Sequence, residues 1–314
     1  IITPCQAVNT NNTSSASLQG LASMHIATLL FGFTAILGKL ITLNALSLVW
    51  WRMGIATLVF MLIPSVWKGL QAMSKVKRRL FLINGSLVAL HWITFYGAIK
   101  IGDSASLVLG VFGMVAFFTA ILEPWIIGSR FRKHQLALGV VIVLGLFCIN
   151  QANPEGALTL NNDFALAIGV GLLSAFLAAL FSVFNKKWIG DDSASSATAL
   201  QMLGGFLTIC LFLPFLGQLG SSFEYLLLPW DWFWMIILAV LCTNLAFSLE
   251  MTALKSMSAF TANIILNLEP IYGVAIAALA LKEYEMLNGW FYVGTALIIA
   301  TVFINVILSK RLTS

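Results

Sequence analysis

The sequence predicts an all-α integral membrane protein of ten transmembrane helices, arranged as an inverted repeat of five helices plus five. Three observations carry that expectation. The 314 residues are 60% apolar and only 9% charged, with a mean hydropathy of +0.96, too little polar surface to solvate a globular domain of this length. Apolar runs of roughly 20 residues, the length a helix needs to cross hydrocarbon, can be placed ten times. One phrase is also doubled: Ala98-Ile99-Lys100 leads through an apolar segment to Glu123-Pro124, and Ala253-Leu254-Lys255 leads to Glu269-Pro270. Membrane chains made of two similar halves commonly bind a solute where the halves meet.

In order, the expected spans are 22–40, 47–66, 80–99, 104–128, 134–152, 164–187, 197–216, 230–254, 258–281 and 287–309. The polar Asn/Ser/Thr-rich stretch 1–20 has no basic region followed by a short apolar core, so it reads as a disordered tail. The two repeats then occupy 21–153 and 154–314. An odd number of spans per half makes the second half enter the membrane from the opposite side, which inverts the repeat.

Charge sets the orientation. Of the 17 Lys and Arg, Arg52 lies inside a span, Lys39, Lys100 and Lys282 fall on one side, and the rest share the side of the termini. That asymmetry predicts both termini in the cytoplasm, in a bacterial inner membrane. Tryptophans agree: Trp50, Trp51, Trp230, Trp232, Trp234 and Trp290 fall near outer ends, Trp67, Trp125 and Trp188 near inner ends, and Trp92 alone at mid-depth. The net charge of +5 comes from single basic residues between apolar spans, which argues against nucleic acid as a partner. Cys5, Cys148, Cys210 and Cys242 have neither metal-ligand spacing nor a disulfide pattern, and no cofactor is expected.

An ionisable side chain at the centre of a membrane helix costs about 2.5–3.5 kcal/mol on insertion scales, so each needs a partner, a wet cavity or neutralisation. The candidates are Arg52, His91, Glu123, Glu250 and Glu269. Glu269 is the deepest carboxylate, and Pro270 after it removes a backbone hydrogen bond at that depth. It is the leading proton carrier, against the alternative of a permanently neutral joint between helices. Glu123 is the second proton-coupling candidate, although its place near the cytoplasmic end, like that of Glu250, favours a structural or gating role. Three carboxylates cannot all pair with one Arg52, so at least one must be neutral or reached by water.

Candidate substrate-binding residues are His91, Trp92 and Phe95 at mid-depth, Asn263 and Asn267 at helical spacing, Asn244, and Arg52. Aromatic walls suit amines through cation–π attraction and planar groups through stacking. Arg52 could take a substrate carboxylate, or pair with an acidic residue and close the outer side. Ordinary helix packing is the alternative for the same aromatic residues; cavity lining is favoured because Trp92 alone departs from the interfacial pattern.

Taken in order, His91-Trp92-Ile93-Thr94-Phe95-Tyr96-Gly97-Ala98-Ile99-Lys100, Leu122-Glu123-Pro124, Leu268-Glu269-Pro270-Ile271-Tyr272-Gly273 and Leu281-Lys282-Glu283 resemble the drug/metabolite transporter superfamily, specifically its EamA-type members, over roughly 20–310. That resemblance implies a central cavity walled by the first four helices of each half, export of small organic solutes, and peripheral fifth and tenth helices available for support or a homodimer contact. Arg130 stands near the position where the second copy has Glu283, so the loops after the fourth helices are not symmetric. The resulting expectation is a secondary exporter of small polar metabolites, amino acids or related amines, by proton-coupled alternating access. Uncoupled exchange is the alternative, with a channel or an intramembrane enzyme further off. No His-Glu-x-x-His or paired-aspartate motif is present.

Overall fold

The computed structural model describes residues 10–102, 108, 111–131, 133–151, 162–216, 228–269, 271–272 and 289–311, and among them every regular element is helical. In chain order these are α1 (Thr10–Leu40), α2 (Ala45–Met61), α3 (Pro64–Ala72), α4 (Lys75–Gly102), α5 (Met114–Ile127), α6 (Lys133–Gln151) and α7 (Asn162–Ile189). There follow α8 (Ala194–Leu216), α9 (Pro229–Ala239), a π-helical turn (Val240–Leu245), α10 (Ala246–Ser256), α11 (Ala259–Leu266) and α12 (Gly289–Arg311). Among the described residues, five segments are long and apolar enough to cross a bilayer alone: Leu18–Gly38, Lys75–Gly102, Ala165–Ile189, Ala194–Pro214 and Pro229–Ser256. Each of the ten expected spans overlaps a helix in the expected order.

Three boundaries differ from expectation. The disordered tail was expected to run to residue 20, but α1 begins at Thr10. Once a membrane span supplies the nucleus, each further residue adds a hydrogen bond for one residue fixed. The span expected over 47–66 stops at Met61, and α3 leaves α2 at a bend of 87°. Pro64 accounts for this: it holds Ile63 extended (φ −95°, ψ 110°) and opens α3 at its first turn. The span expected over 258–281 breaks at Asn267 and Leu268, just before Glu269. Pro270 and residues 273–288, including Lys282 and Glu283, lie outside the described residues, as do Cys5, Asp103 and Arg132.

Side-chain caps fix two helix starts. Asn44 accepts from the Ser47 N–H (2.9 Å) and Ser258 from the Thr261 N–H (3.0 Å). Gly128, at φ +81°, closes α5 in the left-handed conformation that a Cβ disfavours.

In the core, α4 packs along α7 and α8. A Cβ at Gly85 would strike the backbone of Gln201, and one at Gly204 the backbone of Leu82, so α4 and α8 meet at backbone distance. Ser86 Oγ and Thr208 Oγ1 share a 2.7 Å hydrogen bond beside this contact. Next to it, Asn84 donates to Asn185 Oδ1 (2.7 Å), and Asn185 to Gln201 Oε1 (3.3 Å). The helix α1 packs on α10, α2 packs on α8 and α4, and α6 packs on α12, where Gly145 faces the Gly294 carbonyl.

Candidate functional site

A cavity opens among α1, α2, α4, α7, α10 and α11. Helical periodicity explains its lining, because residues three or four apart share a face. From α4 come His91, Trp92, Phe95 and Tyr96; Phe31 and Thr34 come from α1, Phe181 from α7, and Phe247 and Glu250 from α10. Arg52, Phe112, Asn263, Leu266 and Glu269 complete the main contributors. The helix α8 supplies no lining side chain, so the expected wall of four helices from each half is only partly realised among the described residues.

Arg52 is only 1% exposed. Its Nε donates to Thr243 Oγ1 (2.7 Å), Nη1 to the Tyr96 hydroxyl (2.9 Å) and Nη2 to the Cys242 carbonyl (3.1 Å). Its Cζ lies 3.7 Å from the Trp92 ring centroid. Arg52 has no acidic partner among these bonded contacts, although the Glu269 carboxylate lies within its electrostatic reach, and the π-helical turn supplies one of the neutral acceptors. There the Ala246 N–H reaches back to the Leu241 and Thr243 carbonyls instead of Cys242, which frees the Cys242 carbonyl for the guanidinium. Irregular turns of this kind inside membrane helices recur at functional sites.

His91 is tethered. Ser174 Oγ donates to the His91 carbonyl (3.1 Å), while Nδ1 lies 2.9 Å from that Oγ and 3.0 Å from the Ser174 carbonyl. A carbonyl only accepts, so Nδ1 carries a proton. The ring stacks on Phe112 at 5.4 Å. Trp92 meets Phe247 edge-on at 5.1 Å, and Phe247 meets Phe31 edge-on at 5.3 Å, forming one aromatic wall.

Glu250 and Glu269, 3% and 4% exposed, both face the cavity. Neither receives a hydrogen bond or an ion pair from a described residue; Glu269 lies within electrostatic reach of Arg52 and of Glu250. Glu250 was expected near the cytoplasmic end. It stands six residues before the end of α10, about 9 Å at 1.5 Å per residue, deep enough to share the cavity. The Phe247–Glu250 spacing was the sequence signal for it, and Tyr96, four residues after Trp92, carried a similar one.

The other expected residues divide. Asn263 lines the cavity and donates to Thr119 Oγ1 (2.8 Å). Asn267 is not among its lining residues: the turn at Asn267 ends the periodicity that would have kept the two side chains on one face, and its Nδ2 is buried without a partner among the described residues. Asn244 stands behind the wall and donates to the Ala56 carbonyl (3.1 Å). Glu123, 6% exposed, lies outside the cavity; its two carboxylate oxygens accept from the backbone N–H groups of Ala259 (3.2 Å) and Phe260 (2.8 Å), at the start of α11. The two Glu-Pro pairs are therefore not equivalent. Nine more residues separate Lys100 from Glu123 than Lys255 from Glu269, so the doubled phrase aligns the two carboxylates at different depths. Among the described residues, no group of three His, Cys, Asp or Glu could hold a metal.

Comparison with known proteins supplies the deciding observation. The model of the EamA-like transporter family matches residues 18–151 and again 165–307. The chain belongs to the EamA-like transporter family. This EamA-like chain is 27% identical over 241 residues to a protein of Salmonella typhimurium named a probable amino-acid metabolite efflux pump, covering 75% of this chain and 79% of that one. A protein of the same name from Escherichia coli is 27% identical over 262 residues, covering 80% and 84%. A Bacillus subtilis protein named uncharacterized transporter YetK is 25% identical over 265 residues, covering 82% and 76%. A crystal structure matches over 96% of this chain and 99% of that one with a TM-score of 0.73 at 16% identity, which shows a shared fold. The family resemblance read from the motifs is thus confirmed, and the chain is an integral membrane transporter.

Proposed function

We propose that this transporter is a secondary active exporter of small polar metabolites, amino acids or related amines, that works by alternating access and trades cargo for protons. The observation that carries this reading is the pair of buried carboxylates, Glu250 and Glu269, facing one cavity without a bonded partner among the described residues. A carboxylate in that position is stabilised by the arrival of a proton or of a cationic group, and the two occupants compete. The relatives named as efflux pumps support the direction and the class of cargo.

The architecture proposed for it is ten membrane helices in an inverted repeat over 21–153 and 154–314, with both termini in the cytoplasm of a bacterial inner membrane. Glu269 carries the proton, beside the helix break that lets its surroundings change. Arg52, His91, Trp92, Phe95 and Asn263 shape the cargo site, with Asn244 and Asn267 holding the helices behind it. Glu123 is placed as a brace between α5 and α11 that loosens when the transporter opens. The paired α6 and α12 stand apart from the cavity and are the surface offered to a second copy.

Counterflow of mixed amino acids and amines in proteoliposomes, with and without an imposed pH gradient, tests this. Flux should rise with the gradient and lose that response in Glu269→Gln. Proton-driven flux that survives in the variant would sink the assignment, and exchange indifferent to the gradient would leave an uncoupled exchanger.

A further inference from the structure

Among the described residues, the charged side chains lining the cavity are Arg52, Glu250 and Glu269. Arg52 is committed to the protein: each of its three nitrogens donates to a neutral acceptor, and one face of the guanidinium covers Trp92. A cargo carboxylate would have to displace those contacts, and it would enter a site that already holds two carboxylates, where like charges repel strongly for want of screening water. An ammonium group meets the opposite situation. It brings three donors and a positive charge to two carboxylates that are more than nine-tenths buried and accept nothing from a described residue. Phe247, one helical turn before Glu250, joins Phe31 and Trp92 in the adjoining wall, and the face of an aromatic ring attracts a desolvated cation.

We propose that Glu250 and Glu269 together hold the ammonium group of the cargo, and that the cavity selects net-cationic amines lacking a free carboxylate over the zwitterionic amino acids. This rests on the exporter reading above and narrows its cargo. The reaction class that would supply such a cargo is amino-acid decarboxylation, which removes the carboxylate and leaves the amine. Glu250 is the specificity-determining residue, because losing its charge leaves one carboxylate opposite Arg52 and no net attraction for a cation.

Phenethylamine and phenylalanine differ by that carboxylate alone and serve as probes for the purified full chain. Binding is measured by calorimetry at neutral pH, and uptake in proteoliposomes after subtraction of the leak through protein-free vesicles. Phenethylamine should bind at least tenfold tighter than phenylalanine. Glu250→Gln should weaken amine binding at least tenfold, while Glu250→Asp, which keeps the charge, should restore most of it and shows that the loss is not misfolding. Phenylalanine binding as tightly as the amine, amine binding unmoved in Glu250→Gln, or no binding of either probe would overturn the inference. Phenylalanine flux without amine binding would overturn it and leave the exporter reading standing. Amine binding that responds to Glu250 without any flux would support the site and overturn the exporter reading.

Discussion

Arg52 shows how a buried charge can be held by neutral hydrogen-bond acceptors, with the Glu269 carboxylate within electrostatic reach but not bonded to it. Burying a guanidinium is costly unless its donors are satisfied, and here a hydroxyl from α4, a hydroxyl from the π-helical turn and a carbonyl freed by that turn share the task. Lysine cannot reproduce the fork, since a single ammonium cannot span Thr243, Tyr96 and the Cys242 carbonyl together. Arg52→Lys should therefore lower stability by about 1.5–3 kcal/mol, the range for hydrogen bonds to a charged group, read as a drop in melting temperature in detergent. Thr243→Val, which removes one acceptor and keeps the shape, should cost less; an Arg52→Lys protein as stable as the parent would show that the three contacts are dispensable. The depth and charge of Arg52 were legible in the sequence. Its partners were not, because the Cys242 carbonyl becomes an acceptor only when the helix changes register, and no residue type in Val240–Leu245 announces a π-helical turn.

Helices were read more completely than their interruptions. Runs of about 20 apolar residues have one economical form in hydrocarbon, so each expected span met a helix. The bend at Pro64 and the break at Asn267 depend on local backbone chemistry that hydropathy averages away. Glu250, read like Glu123 as lying near a helix end, faces the cavity instead, because its neighbours across the bundle were not visible in the sequence. The α4–α8 contact is the element most exposed to test. Alanine at Gly204 would place a methyl group on the Leu82 backbone, whereas nothing lies within 4 Å of a Cβ at Gly169. Overpacking typically costs 1–3 kcal/mol, so Gly204→Ala should fall in about that range and Gly169→Ala should be near neutral. Equal melting temperatures for the two variants would mean that the helices separate freely there. At α11, Glu123→Ala removes both acceptors of the Ala259 and Phe260 N–H groups and should cost about 1–2 kcal/mol, as loss of a helix N-cap does.

Across the whole molecule, polar contacts tie residues 10–151 to residues 162–311 at two ends of α2. Before its first turn, Thr42 donates its N–H (3.1 Å) and its hydroxyl (2.7 Å) to the two carboxylate oxygens of Asp231, a buried residue at the start of α9. Beyond its last turn the ties are more numerous: Lys77 with Asp192, Lys187 to the Ile126 carbonyl (2.8 Å), Ser196 to the Val66 carbonyl (2.9 Å), and Glu123 to the first N–H groups of α11. Arg52, within α2, places the cavity between these two sets. An alternating transporter must release one set while the other stays made, and a difference of about 1.4 kcal/mol between the two open forms changes their ratio tenfold. Breaking either carboxylate latch should therefore bias the population toward the form open at that end. Ala178 lines the cavity, so Ala178→Cys, in a protein whose four native cysteines are replaced, reports access to a membrane-impermeant maleimide. Asp231→Ala should speed labelling from the Thr42 side several-fold and slow it from the other, and Glu123→Gln should do the reverse. Labelling that rises from both sides at once would mean that the latches hold the bundle together without alternating.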